Sequence, residues 1–457
     1  MASDEPRLRD RFNRSARLGR VAVSQLSRVA WRRLREPFMS EAGKVVARDR
    51  EMLRLADDLV SALGSMKGAA MKFGQSISLL NLGLSSAEAR AEFTKRLAPL
   101  YRQAPPTDND IMFELLDREL GACRDQLVSI ESEPIAAASL GQVYRGTLAD
   151  GRTVAVKVQY PSAKSAVAAD LRNLALLSRL RARDFPNLGL AELVAEISDQ
   201  IHLELDYERE LDNHRQVYRA HVGHPAFRIP EPIENLCTAK VLTTEYLEGT
   251  TLDQLGPVSP ETANTLGEAL YRFYCGGLYT AGQFCADPHP GNIIALDDGT
   301  VGFVDFGLYV TMDTEQITLE RAIFAAVLAS DAPRVHALLR SGGFIVDESA
   351  MPEEVALGYL AAIGAWHLAP GVVTVTPESA LLSVSEGMLP SSSFREWIYQ
   401  QRVPREHLFS RRTEMNVCAL LGDLQASAPW RAISEEWILN REPATDMGRR
   451  IAQWESR

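Results

Sequence analysis

Along Gly151–Tyr160, Val154, Val156 and Val158 alternate with Ala155, Lys157 and Gln159. A period of two puts the valines on one face and Lys157 on the other, the pattern of a strand with one buried side. Residues 130–160 read as two strands joined by the turn Ala149-Asp150-Gly151-Arg152, and residues 229–248 as two more. The last of these, Leu242-Thr243-Thr244-Glu245-Tyr246-Leu247-Glu248-Gly249, runs into a hinge. Elsewhere the period is helical. Helices are expected at Met52 to Leu63, about Met66 to Leu79 and about Glu88 to Tyr101. A break follows at Ala104-Pro105-Pro106-Thr107, and Asp108 is a fair N-cap for Ile111–Leu120. Residues 163–183 read as helix, and one long helix is expected from about Ala191 to Val217. Beyond 250 the chain is mainly helical. The pattern divides the chain into an arm (1–36), a helical block (37–125), a strand-rich part (126–245) and a helical part (246–457).

At 457 residues the chain is long enough for two or three domains with a sizeable core. The net charge of −11 argues against general nucleic-acid binding. Its five cysteines form no CxxC pair and no zinc spacing, which predicts reduced thiols in a cytosol-like compartment. The charge is uneven. Residues 1–36 hold ten Arg and four acids, a local net of +6 that leaves about −17 for the remainder. Leu18, Val21, Val23, Leu26, Val29, Ala30 and Trp31 lie between those arginines, as in an amphipathic helix. Three readings stand: a helix on anionic lipid, a mitochondrial transit segment, or a solvated helix packed on the rest. Residues 355–377 carry no Asp, Glu, Lys or Arg. The apolar run breaks at Pro370-Gly371 after about fifteen residues, short of the roughly twenty a span needs, so a buried helix and a turn are expected. No signal peptide is expected.

Two further stretches carry chemistry. In Phe284-Cys285-Ala286-Asp287-Pro288-His289-Pro290-Gly291-Asn292 an Asp precedes an Asn by five residues, and Val304-Asp305-Phe306-Gly307 follows. That is the spacing of a kinase catalytic loop and its metal-binding strand. Phosphoryl transfer needs one carboxylate at the attacking oxygen and groups on Mg²⁺ bridging the phosphates. Asp287 suits the first role, Asn292 and Asp305 the second. Lys157 alone reads as a solvated edge lysine; with this loop downstream it reads as the lysine on the α- and β-phosphates. Backbone groups of Glu245 and Leu247 at the hinge would face an adenine. The carboxylate that orients Lys157 should lie on the 191–217 helix, where Glu204 and Glu208 share a face and Glu210 is rotated away. Glu204 and Glu210 both stand as candidates. His289 has three roles open: orienting the loop, touching phosphate, or a structural hydrogen bond.

The order of lysine strand, acidic helix, hinge, Asp-x4-Asn and Asp-Phe-Gly is that of the protein-kinase-like fold, an α+β bilobal architecture. Four features depart from ordinary protein kinases. Ala136-Ala137-Ala138-Ser139 stands where a glycine-rich loop would be, the catalytic loop lacks His-Arg-Asp, no Ala-Pro-Glu follows, and the helical block carries Lys72-Phe73-Gly74-Gln75. With Glu204-Leu205-Asp206, these make the chain resemble the UbiB (ADCK) family of atypical kinases, nearer its coenzyme-Q-serving branch than bacterial UbiB. The matches span 67–307, and Arg402-Val403-Pro404 with the helices around Arg412–Leu424 looks like the family's C-terminal part. The family more often has Glu-Ala where this chain has Glu210-Leu211.

The resemblance implies a helical N-terminal extension packed over the active site, with Lys72 and Gln75 meeting Glu204 and Asp206 as a gate that disfavours peptide substrates. That assignment leaves Glu210 as a good candidate for the lysine partner. Alanines at 136–138 restrict a loop that glycine would free, which should alter nucleotide preference; Ser139 either donates to a phosphate or caps the next turn. The implied cofactors are ATP (or ADP) and Mg²⁺. The implied role is support of ubiquinone or related isoprenoid-lipid metabolism. Implied partners are anionic membrane lipid and isoprenoid intermediates or their biosynthetic enzymes, with a homodimer left open. The implied location is cytoplasmic or peripheral membrane, or the mitochondrial matrix in a eukaryote. The alternatives are a small-molecule kinase of similar fold and a nucleotide-binding scaffold without turnover.

Overall fold

The computed structural model describes residues 107–138, 140–161, 201–345, 351–388 and 403–457. It also describes positions 50, 53–54, 56–57, 60, 92–93, 95–97, 163–164, 167–168, 171–172, 175, 195, 198–199, 394 and 397. The arginine-rich arm, Lys72, Gln75 and Ser139 lie outside the described residues. The chain divides into two compact units. One comprises residues 1–112, 136–142 and 159–205, the other residues 113–135, 143–158 and 206–457.

Asp108 begins helix α1 (Asn109–Leu120), of which residues 113–120 belong to the second unit: its side chain accepts the Asp110 N–H at 2.9 Å and its carbonyl the Met112 N–H at 3.2 Å. Arg96 bridges Asp57 and Glu92 at 2.7 and 3.0 Å. Two buried glutamines tie backbone together, Gln142 accepting the Thr107 N–H and Gln159 donating to the Leu205 carbonyl at 3.1 Å. The described positions between 163 and 175 are helical.

In the second unit the strands are β1 (Leu127–Ile130), then, after β2 (Ala136–Ala138) of the first unit, β3 (Gly141–Leu148) and β4 (Thr153–Gln159). The alanine run expected as a loop is thus a short strand; without glycine, its backbone favours extended conformations. Gly151, at φ 88°, closes the β3–β4 turn, a conformation glycine adopts without strain. Val154, Val156 and Val158 are fully buried, as their alternation requires.

The long helix expected from about Ala191 to Val217 is interrupted after residues 201–204, which are helical. Asp206 leaves helical geometry (φ −105°, ψ 84°) and its carboxylate accepts the Arg209 N–H at 3.1 Å, capping α2 (Tyr207–His221). A helical face counted through the break therefore does not join Glu204 to Glu208. β5 (Phe227–Arg228) and β6 (Val241–Glu245) follow, and β6 pairs antiparallel with β4, Lys157 opposite Leu242 and Val154 opposite Glu245.

Next come β7 (Gly249–Thr251), α3 (Pro260–Tyr271), α4 (Gly277–Ala281), β8 (Gln283–Cys285), β9 (Ile293–Leu296), β10 (Val301–Phe303) and β11 (Tyr309–Thr311). β5, β10, β9 and β7 form a sheet in that order, and β8 pairs with β11. Gly249 permits the close approach of β7 to β9, since a Cβ there would lie 2.4 Å from the Ala295 carbonyl oxygen. The helices α5 (Thr314–Leu328), α6 (Ala332–Ser341), α7 (Glu353–Ile363) and α8 (Ala365–Leu368) are followed by β12 (Val373–Thr374), α9 (Pro377–Met388), α10 (Arg405–Leu424), β13 (Ser427–Ala428), α11 (Trp430–Ile438) and α12 (Asp446–Glu455).

The main core joins α3, β5, β9, β10, α10 and α11 through Phe227, Phe273, Phe303, Trp366 and Trp430. The rings of Phe273 and Phe303 stack at 3.7 Å. The uncharged stretch 355–377, expected as one buried helix and a turn, is α7, α8, a turn and β12, and no helix among the described residues is long and apolar enough to cross a membrane.

Candidate active site

Lys157 enters the site from β4 on the face opposite the buried valines. Its Nζ lies 2.7 and 3.0 Å from the two carboxylate oxygens of Glu210 and 3.4 Å from Oδ2 of Asp305. Tyr207 sets its ring 5.1 Å below the same ammonium. Of the two glutamates considered from sequence, Glu210 on α2 is the one paired with Lys157; Glu204 lies at the helix end in the other unit. Glu210 is 2% exposed and Lys157 19%, so this pair is shielded from solvent. Burial by itself would lower the lysine pKa; the facing Asp305 and Glu210 outweigh it and hold Lys157 charged well above the ordinary lysine range.

Asp287 follows β8, and the Ala286 N–H donates to the Leu308 carbonyl at 2.9 Å, fixing this loop beside the Asp-Phe-Gly strip. His289 has a structural bond: its Nδ1 accepts the Gly291 N–H at 3.1 Å and caps the short turn Pro290–Asn292. The Val304 N–H donates to the Asn292 carbonyl at 3.2 Å, which sets the start of β9 against the residue before Asp305. Oδ1 of Asp305 accepts the Gly307 N–H at 3.0 Å.

These residues fit Mg²⁺. Asp305 and Asn292 offer a carboxylate and an amide oxygen, hard donors on adjoining backbone, and Asp305 keeps about a third of its side chain exposed. Mg²⁺ needs only one or two such groups when waters and phosphate oxygens complete its shell. No cluster of three or more His, Cys, Asp or Glu that could cage a metal occurs among the described residues.

At the hinge Tyr246 donates its N–H to the Thr153 carbonyl at 3.0 Å. The Glu245 N–H is taken by the Glu231 carbonyl at 2.8 Å, and its carboxylate by Arg228 at 2.7 Å. Leu247 follows β6 with its side chain buried, and among the described residues its N–H and carbonyl take no hydrogen-bond partner. Ala136, Ala137 and Ala138 belong to the other unit. Asp206 serves as the α2 cap.

Residues 99–339 match the ABC1 atypical kinase-like domain. The chain belongs to the ABC1 atypical kinase-like family. Its fold is kinase-like, with a small strand-rich part and a larger helical part. The chain is 35% identical over 252 residues to the protein Activity of BC1 Complex Kinase 1, chloroplastic, of Arabidopsis thaliana, covering 52% of this chain and 36% of that one. It is 29% identical over 301 residues to the mitochondrial atypical kinase COQ8B of Rattus norvegicus, covering 65% and 54%. The chain thus spans about a third to about half the length of these relatives. Among solved structures, the complex of Rv3197 with erythromycin from Mycobacterium tuberculosis superposes with a TM-score of 0.62 at 26% identity, over 87% of this chain and 98% of that one.

Sequence reasoning missed a second set of α2 side chains in this ABC1 site. Asn213 Nδ2 donates to the Phe306 carbonyl at 2.9 Å, and Arg209 to the Gly307 carbonyl at 3.4 Å. The ring of His214 meets that of Phe306 edge-on at 4.9 Å, and its Nε2 bonds the Pro230 carbonyl at 2.7 Å. The available signal was spacing: Asn213 and His214 lie three and four residues after Glu210, on its face of the helix.

Proposed function

We propose that this chain binds Mg-ATP and acts as an atypical kinase or ATPase on a non-protein acceptor or water. The observation that carries the reading is the Lys157–Glu210 pair at 2.7 Å with Asp305 at 3.4 Å from the same ammonium. An ammonium so held lies ready for the α- and β-phosphates, beside the carboxylate that takes the metal. Asp287 faces the acceptor, Asn292 and Asp305 take Mg²⁺, and the backbone of Leu247 receives the adenine, since both backbone groups of Glu245 already have partners.

Only six residues separate Gly307 from the first residue of α5, Thr314, and β11 occupies three of them. Protein kinases use a longer segment here, between Asp-Phe-Gly and Ala-Pro-Glu, that carries the activation phosphosite. Its shortness supports a small or lipidic acceptor, as does erythromycin in the related mycobacterial structure. The kinship with a mitochondrial COQ8B and a chloroplastic family member supports a role in ubiquinone or other isoprenoid-lipid metabolism at a membrane. The gate role of Lys72, Gln75, Glu204 and Asp206, and the nucleotide role of the 136–139 segment, rest on the motif match alone.

The test is phosphate release from Mg-ATP by the full chain, with and without anionic-lipid vesicles, beside Asp305→Asn and Lys157→Met. Lipid-stimulated release lost in both variants is expected. Equal release by wild type and both variants would overturn the site assignment, and tight nucleotide binding with no release under any lipid condition would leave a scaffold.

A further inference from the structure

The helix α2 holds the lysine half of the site through Glu210, and other side chains of the same helix reach the backbone and the Phe306 ring of the metal half. Asn213 donates to the Phe306 carbonyl at 2.9 Å, Arg209 to the Gly307 carbonyl at 3.4 Å, and the His214 ring abuts Phe306. The strip lies so near the helix that a Cβ on Gly307 would sit 3.7 Å from Oε2 of Glu210 and 3.4 Å from Oδ1 of Asp305. Asp305 in turn orients its carboxylate by accepting the Gly307 N–H at 3.0 Å. The peptide carbonyl that Asn213 grips therefore belongs to the unit whose N–H orients the carboxylate: the Phe306 C=O and Gly307 N–H are two ends of one planar amide. A bond that fixes one end fixes the direction of the other.

We propose that Asn213 is a positioning residue for Asp305, and that α2 couples the lysine and metal halves of the site by gripping the Phe306–Gly307 peptide. The inference rests on the reading that Asp305 takes Mg²⁺. Glu210 and Asn213 sit on one rigid helix three residues apart, so an outward movement of α2 loosens Lys157 and turns the Asp305 carboxylate together. An alanine at 213 releases the peptide while leaving the Lys157–Glu210 pair in place. An aspartate there faces one carbonyl oxygen with another and should release it further. A glutamine retains the donor and should restore part of the effect.

Two measurements on the full chain test this. The first is hydrogen exchange of the ligand-free protein, followed over the peptide that contains residues 306–309. Asn213→Ala should exchange about fivefold to tenfold faster there, the equivalent of one neutral hydrogen bond. Asn213→Asp should be faster still and Asn213→Gln intermediate, with Arg219→Ala on the exposed side of α2 as the unchanged control. The second is nucleotide binding as a function of Mg²⁺. Asn213→Ala should need several-fold more Mg²⁺ for half-maximal binding, with metal-free nucleotide affinity within about twofold of wild type. Exchange unchanged at 306–309 in a folded Asn213→Ala protein would overturn the proposal, as would equal weakening of nucleotide with and without metal. If wild type binds no nucleotide, the functional reading fails, and the exchange measurement still decides the grip.

Discussion

His224 offers the sharpest quantitative test of the fold. Its Nδ1 accepts two backbone N–H bonds, from Ala226 at 3.2 Å and Phe227 at 3.0 Å. Its ring stacks on Phe227 at 4.0 Å and meets the edge of Trp454 at 4.8 Å. Protonation would turn the accepting nitrogen into a donor facing two donors. Burial, with His221 and Arg272 nearby, holds the pKa down at about 3 against an ordinary 6.5. The folded state thus binds fewer protons than the unfolded state between those values, and stability present above pH 6.5 is lost as pH falls through the window. At pH 5 the unfolded chain carries the proton and the folded one does not, which removes about 2 kcal/mol relative to pH 7.5. The perturbation is His224→Asn, whose Oδ1 takes the place of Nδ1 as acceptor and does not titrate. The variant should be less stable at pH 7.5 through lost ring packing, by about 1 to 3 kcal/mol. The measurement is the urea midpoint, with its slope, of both proteins from pH 7.5 to 5. The stability gap between wild type and variant should shrink by about 2 kcal/mol over that range. A gap that stays constant would refute the account, because the other buried histidines are common to both proteins and cancel.

Other buried charges give further tests. Glu210→Gln leaves the Lys157 ammonium with Asp305 and should cost about 3 kcal/mol; adding Lys157→Met should recover most of that stability while nucleotide binding stays lost, read by thermal melting and calorimetry. Glu320 is buried, and burial by itself would raise its pKa, yet Arg411, His407 and Ser410 hold it below the usual value, at contacts of 3.1, 2.8 and 3.0 Å. Glu320→Gln should therefore cost about 3 kcal/mol at neutral pH, with the loss shrinking as pH falls from the free-carboxyl value toward the lowered folded one, seen as converging melting temperatures. Arg272 forks onto Glu436 at 2.7 and 3.0 Å and bonds Glu268 and Thr445 at 2.8 and 3.0 Å. Arg272→Lys keeps the charge and loses the fork, and should lower stability by about 2 kcal/mol in denaturant titration.

What the sequence made legible was local. The 154–158 alternation, the Asp150-Gly151 turn and the Asp108 cap depend on neighbours within a few positions, and each is present in the fold. The Asp287-to-Asn292 and Asp305-Phe306-Gly307 spacings were legible as neighbouring segments, and the fold joins them through the Val304 N–H on the Asn292 carbonyl. The break at Asp206 was not, because an aspartate inside a helical pattern reads equally as a solvated side chain until its cap bond is seen. Asn213 likewise looks like any polar residue on a helix; its meaning comes from Phe306, ninety-three positions on. The Arg272 and Glu320 networks close over 164 and 91 positions, and no periodicity encodes such pairings.

The catalytic loop shows how the departures from ordinary kinases fit together. An Ala-Asp-Pro-His-Pro-Gly-Asn sequence lacks the arginine of His-Arg-Asp. In its place Pro288 and Pro290 restrict the backbone, and the Pro290 carbonyl accepts the Leu252 N–H at 3.2 Å. His289 caps the turn, and Arg412 of α10 reaches the Ala286 carbonyl at 3.4 Å. The loop is thus held from within and from the helical part of its own unit. The Asp-Phe-Gly strip is held by α2, and the chain then enters β11 and α5 almost at once. The segment after Asp-Phe-Gly is too short to form the long loop that an added phosphate orders in protein kinases. Among the described residues α2 touches both Lys157, through Glu210, and the Asp-Phe-Gly strip, through Asn213 and Arg209, so a shift of that helix would move the two together.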